Sequence, residues 1–277
     1  MQPNQDIQTK LENWLQKQGY PLEMRVASAI KKHTDFDTRQ GWHYQDPESG
    51  QSREIDVVCT ASDERGLAEI NFVFECKATH KPWVLFSSKD AASSYNRLLS
   101  FGIFSKPAFE AVTTQIFNFG ENQNIEISKT IPWLWKEGMV GYSIAQAFEG
   151  NKDIPYSGTL SAVKAALWLK DNSLWQSSEY RNHAISFPVV VTNSPIFQCS
   201  LGKDGNMVLA PIEHGFLFFK QFINDFTGTC VSIINESYID TFVKECNLVS
   251  KSMFDSMEQA LEDDWSDFLR KDNGDKN

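Results

Sequence analysis

The spacing of apolar positions changes along the first hundred residues of this chain, and each change marks an element. Leu11, Trp14 and Leu15 recur at helical spacing and predict an amphipathic opening helix over residues 7–18. Pro21 stands where a first helical turn accepts proline, and Leu22, Val26, Ala29 and Ile30 form the stripe of a second helix reaching His33. Phe36 to Tyr44 then reads as a strand, and Asp46-Pro47-Glu48-Ser49-Gly50 as the turn that follows. A second strand holds Arg53-Glu54-Ile55-Asp56-Val57-Val58. After the turn Ser62-Asp63-Glu64-Arg65-Gly66, a third, with Phe72-Val73-Phe74-Glu75-Cys76-Lys77, returns antiparallel to it. Ser87 or Ser88 is the expected N-cap of a further helix, with Asp90 in its first turn and Ala91, Tyr95, Leu98 and Leu99 as its buried stripe.

Beyond residue 106 the pattern is less regular. Phe109 to Phe119 reads as an apolar strand, Gly138 to Phe148 as a turn entering a helix, and Thr159 to Lys170 as a helix with Leu160, Val163, Ala166 and Leu167 inward. Phe187 to Val191 and Cys230 to Ile234 are apolar runs of the kind that fill interior strands, and Gly202-Lys203-Asp204-Gly205-Asn206 is a hairpin turn between Ile196–Leu201 and Met207–Leu209. The expected fold class is α/β, with a mixed central sheet flanked by helices, a helical insertion and a C-terminal elaboration. One interwoven domain spans residues 1–270: a core over 1–106, a mostly helical insertion over 107–182, and returning strands and C-terminal helices over 183–270. A frayed tail covers 271–277.

Three charged groups interrupt the apolar strands. Period-two geometry puts Ile55 and Val57 on one face of their strand with Asp56 on the other, and sets Asn71, Val73, Glu75 and Lys77 on one face of the next. Two carboxylates and an ammonium can converge there. Hard oxygen ligands of this kind hold a divalent cation such as Mg²⁺, and a lysine beside them can orient or deprotonate a water. The competing reading is a set of surface ion pairs, Glu75 with Lys77 and Asp56 with Arg53 or Lys77, worth ~0–1 kcal/mol each.

Asp56, then Glu75-Cys76-Lys77 on the next strand, resembles the signature of the PD-(D/E)xK, or restriction-endonuclease-like, nuclease superfamily; Ile55 stands where the nominal pattern has proline. The resemblance covers roughly the first hundred residues and implies a restriction-endonuclease-like core. It implies Asp56, Glu75 and Lys77 as catalytic, with Asp56, Glu75 and the Cys76 backbone carbonyl as ligands of Mg²⁺, for which Mn²⁺ can substitute. Glu23, on the second helix, matches an additional metal-binding glutamate of many members; as a first-turn carboxylate it also suits the helix dipole. The implied activity is endonucleolytic phosphodiester hydrolysis, of DNA ahead of RNA, in prokaryotic defence or DNA repair. The alternative is a non-catalytic nucleic-acid-binding, sensing or assembly module of the same fold.

Composition adjusts this picture in one respect. Of 277 residues, 41% are hydrophobic and 22% charged, enough for a full core, but the formal net charge is −10. An acidic protein that binds nucleic acid must gather its basic groups in one place or rely on metal. The candidates are Arg25, Lys31 and Lys32 on the second helix, and Lys77, Lys81, Lys89, Arg97 and Lys106 around the acidic pair. A homodimer or a partner protein is a further expectation. Cys59, Cys76, Cys199, Cys230 and Cys246 lack the spacing of a zinc site, and the five histidines lack metal spacing. No apolar run approaches the ~20 residues of a membrane span and the first residues do not resemble a signal peptide, so no membrane partner is expected and the cytoplasm is the expected address.

Overall fold

The computed structural model describes residues 3–15, 18–91, 97–114, 140–148, 153–172, 183–221, 223 and 228–274. The elements are α1 (Pro3–Leu15), α2 (Tyr20–His33), β1 (Asp37–Gln45), β2 (Ser52–Ser62), β3 (Ala68–Lys77), β4 (Trp83–Ser88), β5 (Ile103–Phe104) and β6 (Val140–Gln146). They continue with α3 (Ile154–Leu169), β7 (His183–Thr192), β8 (Ile196–Leu201), β9 (Met207–Ile212), β10 (His214–Phe219), β11 (Thr229–Asn235) and α4 (Ile239–Gly274). One mixed sheet takes the order β1-β2-β3-β7-β11-β10-β6-β4-β8-β9, with β5 also paired to β7.

The centre of this sheet is buried on both faces. Every residue of β7 is buried, as is all of β3 except Lys77, which is why both read as near-continuous apolar runs. On one face Val57, Cys59, Ile70, Phe72, Phe74, Val189 and Val191 pack under α2 and α4. On the other, Val58, Val73, Val190, Val231 and Ile233 pack under α3. Leu22, Val26 and Ile30 recur every fourth residue on α2, and Phe242, Cys246, Val249, Met253, Met257 and Leu261 line the inward stripe of α4. Each large side chain buried here contributes ~1.5–3 kcal/mol. The architecture is α/β, a large mixed sheet flanked by helices.

Several sequence expectations are corrected. Residues 140–146 are a strand, not a helix: Val, Tyr and Ile suit a pleated surface, and β6 lies so close to Leu85 that a Cβ on Gly141 would sit 2.3 Å from its Cδ1. Ser87 and Ser88 end strand β4 and, among the described residues, cap no helix. In that region only Arg97–Ser100 is described as helical, and Tyr95 lies outside the described residues. Residues 106–114 are helical where an apolar strand was expected, and 115–119 lie outside the described residues. Of the 107–182 segment, the described elements α3 and β6 belong to the core: α3 packs on β3 and β7, and β6 joins the sheet. Helix α4 continues to Gly274, past the expected start of the tail at 271. Ile7, Leu11, Trp14 and Leu15 of α1 are exposed. Ile55 and Val57, expected to share a face, pack in opposite clusters, so β2 rotates between them, at Asp56.

A buried ion network clamps the β1–β2 turn to α3. The Asp46 side chain is fully buried, accepts hydrogen bonds from the amides of Glu48 and Ser49, and pairs with Lys164 at 3.1 Å and Arg53 at 2.5 Å. Burial opposes its ionisation, but the amide bonds and Lys164 outweigh that and hold its carboxyl down at about 2. Its contribution to stability is therefore present above about pH 4 and is lost as pH falls through 2. Lys164→Met, which strips Asp46 of its least exposed partner, should lower stability by about 2–4 kcal/mol in urea denaturation; adding Asp46→Asn should recover part of that loss. A destabilisation below about 0.5 kcal/mol, the range of ordinary surface substitutions, would show that the network carries no weight.

Candidate functional site

Two ladders of unequal length create the site. β3 pairs with β7 along its whole length, from Ala68 opposite His183 to Lys77 opposite Thr192. Its ladder with β2 is shorter and ends at Val57 opposite Phe74. Glu75, Cys76 and Lys77 are thus held by β7 on one side while β2 turns away on the other. Into that opening Asp56 places its carboxylate, whose Oδ2 accepts a hydrogen bond of 2.7 Å from the Cys76 amide. A strand residue directs its N–H and C=O toward the same neighbour, so the Cys76 carbonyl also points to the Asp56 side. The Cys76 thiol lies in the core with β3's other face.

Glu75 and Lys77 share the α3 face of β3, as period two requires, and form an ion pair. Glu75 is 7% exposed. The stem of Lys77 lies against α3 at Gly158, where a Cβ would stand 3.2 Å from both its Cγ and its Cε. The loop after β3 is fixed by Thr192 Oγ1 donating to the Lys77 carbonyl (3.0 Å) and by the Thr79 amide donating to Asn193 (2.9 Å). Gly158, Thr192 and Asn193 were missed by sequence reasoning. A lone glycine inside an apolar helix was the one available signal, and it carries no indication of what approaches it.

Electrostatics add Glu23 and Glu54 to the group. Burial, then repulsion from Asp56 and Glu54, pushes the Glu23 carboxyl up to about 7. Burial, then Asp56, does the same to Glu75, also to about 7, against the pull of Lys77. Burial raises Asp56 as well, with the Cys76 amide opposing it. Burial is the largest single influence on Lys77 and opposes its charge, but the attraction and hydrogen bond of Glu75, together with Asp56, outweigh it and hold the pKa of the ammonium above its ordinary value. One ammonium faces a cluster of carboxyls, a charge imbalance typical of functional sites. A divalent cation is the counter-charge that fits: two carboxylates and a backbone carbonyl are hard donors, and Mg²⁺ uses one or two carboxylates and keeps several waters. No group of three or more His, Cys, Asp or Glu able to hold a metal ion occurs among the described residues; Glu23 lies within Coulombic reach of Asp56 and Glu75.

The expected basic rim is dispersed. Arg25 forks onto Glu236, Lys32 pairs with Asp240, and the Lys81 ammonium donates to the Phe148 carbonyl at 3.1 Å; the side chain of Arg97 lies outside the described residues. Lys31 and Lys32 sit two turns beyond Glu23, at the other end of α2, and line a cavity of about 910 Å³ with Thr60, Glu69 and Ser250. That cavity opens at the opposite ends of β2 and β3 from Asp56 and Glu75, so it is separate from the acidic cluster.

Because Glu23 and Glu75 bind a proton more tightly folded than unfolded, folding takes up protons between about pH 4.5 and 7. Their effect on stability is most favourable below pH 4.5 and is lost as pH rises through 7. Urea midpoints should therefore fall from pH 5 to pH 8. Glu75→Gln should flatten that slope and Mg²⁺ should offset it at pH 8; a midpoint that rises across this window would contradict the assignment. Compared with known proteins, the chain matches no family model, no curated protein and no solved structure.

Proposed function

We propose that the protein is a Mg²⁺-dependent nuclease of the restriction-endonuclease-like fold, hydrolysing phosphodiester bonds of DNA ahead of RNA. The observation that carries this reading is the opening at the end of β2 and β3, where Asp56, Glu75 and Lys77 meet with Cys76 between the last two. The order α2-β1-β2-β3, with β7 returning beside β3, supports this reading, although strand β4 stands where the expected core has a helix starting near Ser87. A role in prokaryotic defence or DNA repair belongs to the same resemblance.

Asp56, Glu75 and the Cys76 carbonyl would hold the ion, and Glu23 would add negative charge beside it. Mg²⁺ bound there supplies Lewis-acid polarisation of the phosphoryl group and neutralises charge on it. The chain's own work falls to Lys77. Its ammonium, held beside Glu75, would position the attacking water by hydrogen bonding and offset charge developing on the phosphorane. Gly158 lets α3 press on the Lys77 stem and so sets where the ammonium can reach. A second reading, a non-catalytic module of the same fold, draws on the net charge of −10 and on the engagement of Arg25, Lys32 and Lys81 with partners in the chain.

Incubation with plasmid, linear duplex, single-stranded DNA and RNA, in Mg²⁺, Mn²⁺ or EDTA, separates these readings. Metal-dependent cutting, reduced by at least about 10²-fold in Lys77→Ala with metal affinity largely kept, supports the nuclease. Asp56→Ala should lose both cutting and Mg²⁺ binding by calorimetry. Gly158→Val should lower turnover with little change in Mg²⁺ affinity, because its side chain displaces Lys77 and not the carboxylates. Binding without cutting on every substrate would favour the module.

A further inference from the structure

The two edges of the sheet differ in kind. β1, one edge, carries Asp37, Thr38, Arg39, Gln40, His43 and Gln45 along its length, the polar and charged side chains with which natural sheets discourage pairing. β9, the other, reads Met207-Val208-Leu209-Ala210-Pro211-Ile212 with no charged residue. It pairs with β8 on one side and, among the described residues, with no strand on the other. Both of its faces are open from Met207 to Pro211. Met207 is 79% exposed, Leu209 58%, Val208 49%, and Leu201 beside them 72%. A long apolar strand with a free backbone edge is a template for another strand.

We propose that β9 pairs with β9 of a second copy of this chain about a two-fold axis, joining two sheets into one. Residues 196–212 contain one lysine, Lys203, and one aspartate, Asp204, so this stretch is neutral on a protein of net charge −10, and two copies can meet there without direct repulsion. The exposed parts of Leu201, Met207, Val208 and Leu209 amount to roughly 400–500 Å² per copy. With the backbone edges the pair covers about 1,000 Å² in total, the lower bound for a specific interface.

Pro211 sets the register. Having no N–H, it is tolerated where that group would face away from β8, which puts the N–H and C=O of Met207 and Leu209 on the open edge with it. An axis through Leu209 would set Met207 against the partner's Pro211 and lose donors. An axis through Val208 sets Met207 against the partner's Leu209, and Leu209 against the partner's Met207, for four backbone hydrogen bonds. Val208 then faces its own copy as a non-hydrogen-bonded pair, Cα atoms ~4.5 Å apart, within the range a disulfide spans.

The test uses the full chain and needs no catalytic activity, so it stands apart from the nuclease reading. Sedimentation equilibrium at micromolar concentration should give twice the chain mass of 31.5 kDa. Leu209→Lys should give the single-chain mass with an unchanged circular dichroism spectrum. Val208→Cys, in a Cys199→Ser background that removes the nearest thiol, should cross-link on mild oxidation to a covalent pair that reduction reverses. A native protein of single-chain mass overturns the proposal. So does a dimer that survives Leu209→Lys and leaves Val208→Cys uncross-linked, since its contact lies elsewhere.

Discussion

The parallel ladder between β3 and β7 is the constraint on which the rest of this structure depends. Both strands are sealed on both faces, so their backbone groups can find partners only in the sheet, and ten consecutive pairings from Ala68 and His183 onward meet that demand. The helices follow from it. α2 and α4 cover one face and α3 the other because β3 and β7 offer apolar side chains in both directions. The strands come from distant parts of the chain, so the core closes only after more than a hundred residues have been brought back, an arrangement with a high entropic cost of loop closure.

The acidic cluster is a consequence of where that ladder continues and its neighbour stops. β7 holds β3 as far as Lys77, whereas β2 leaves after Val57 and turns its next residue, Asp56, into the gap. The carboxylate there takes the Cys76 amide that the ladder would otherwise have used. Glu75 cannot move to water without breaking its pairing to β7, and Glu23 arrives on a helix whose own stripe is locked into the core. Repulsion among these carboxyls persists because each is held by packing elsewhere. Glu23 and Glu75 near pH 7 are the electrostatic record of that confinement. Crowded carboxyls with raised proton affinity beside one tethered lysine make a poor structural bridge, and a divalent cation that displaced their protons would relieve the crowding.

Much of this was legible in the residues. The order of the first two helices and three strands, the turns at Asp46–Gly50 and Ser62–Gly66, and the shared face of Glu75 and Lys77 all rest on short-range geometry. The interior strands at 187–191 and 230–234 announced themselves by unbroken apolar runs. Other elements were misread where two structures compete for one pattern. Val140–Gln146 has apolar spacing compatible with a helix, and its place beside β4 and β10 decides otherwise; Ser87 looks like a cap, but Trp83 to Phe86 pair with β6 and β8 and draw Ser87 and Ser88 into the strand.

By itself the sequence determined that Glu75 and Lys77 share one face of β3, because the two-residue repeat of a regularly paired strand is a local property; it did not foresee Ile55 and Val57 on opposite faces of β2. It also carried the charges that interrupt the core, Asp56, Glu75 and Lys77, and the neutral character of the β9 edge. Only the tertiary structure decided that β2 rotates at Asp56 and that Glu23 stands within Coulombic reach of Asp56. The same is true of Gly158 meeting the stem of Lys77, and of β9 standing at the edge of the sheet. Each of these depends on which strand lies beside which, and that choice is made by burial and backbone pairing summed over the whole core, where no single window of residues contains the answer.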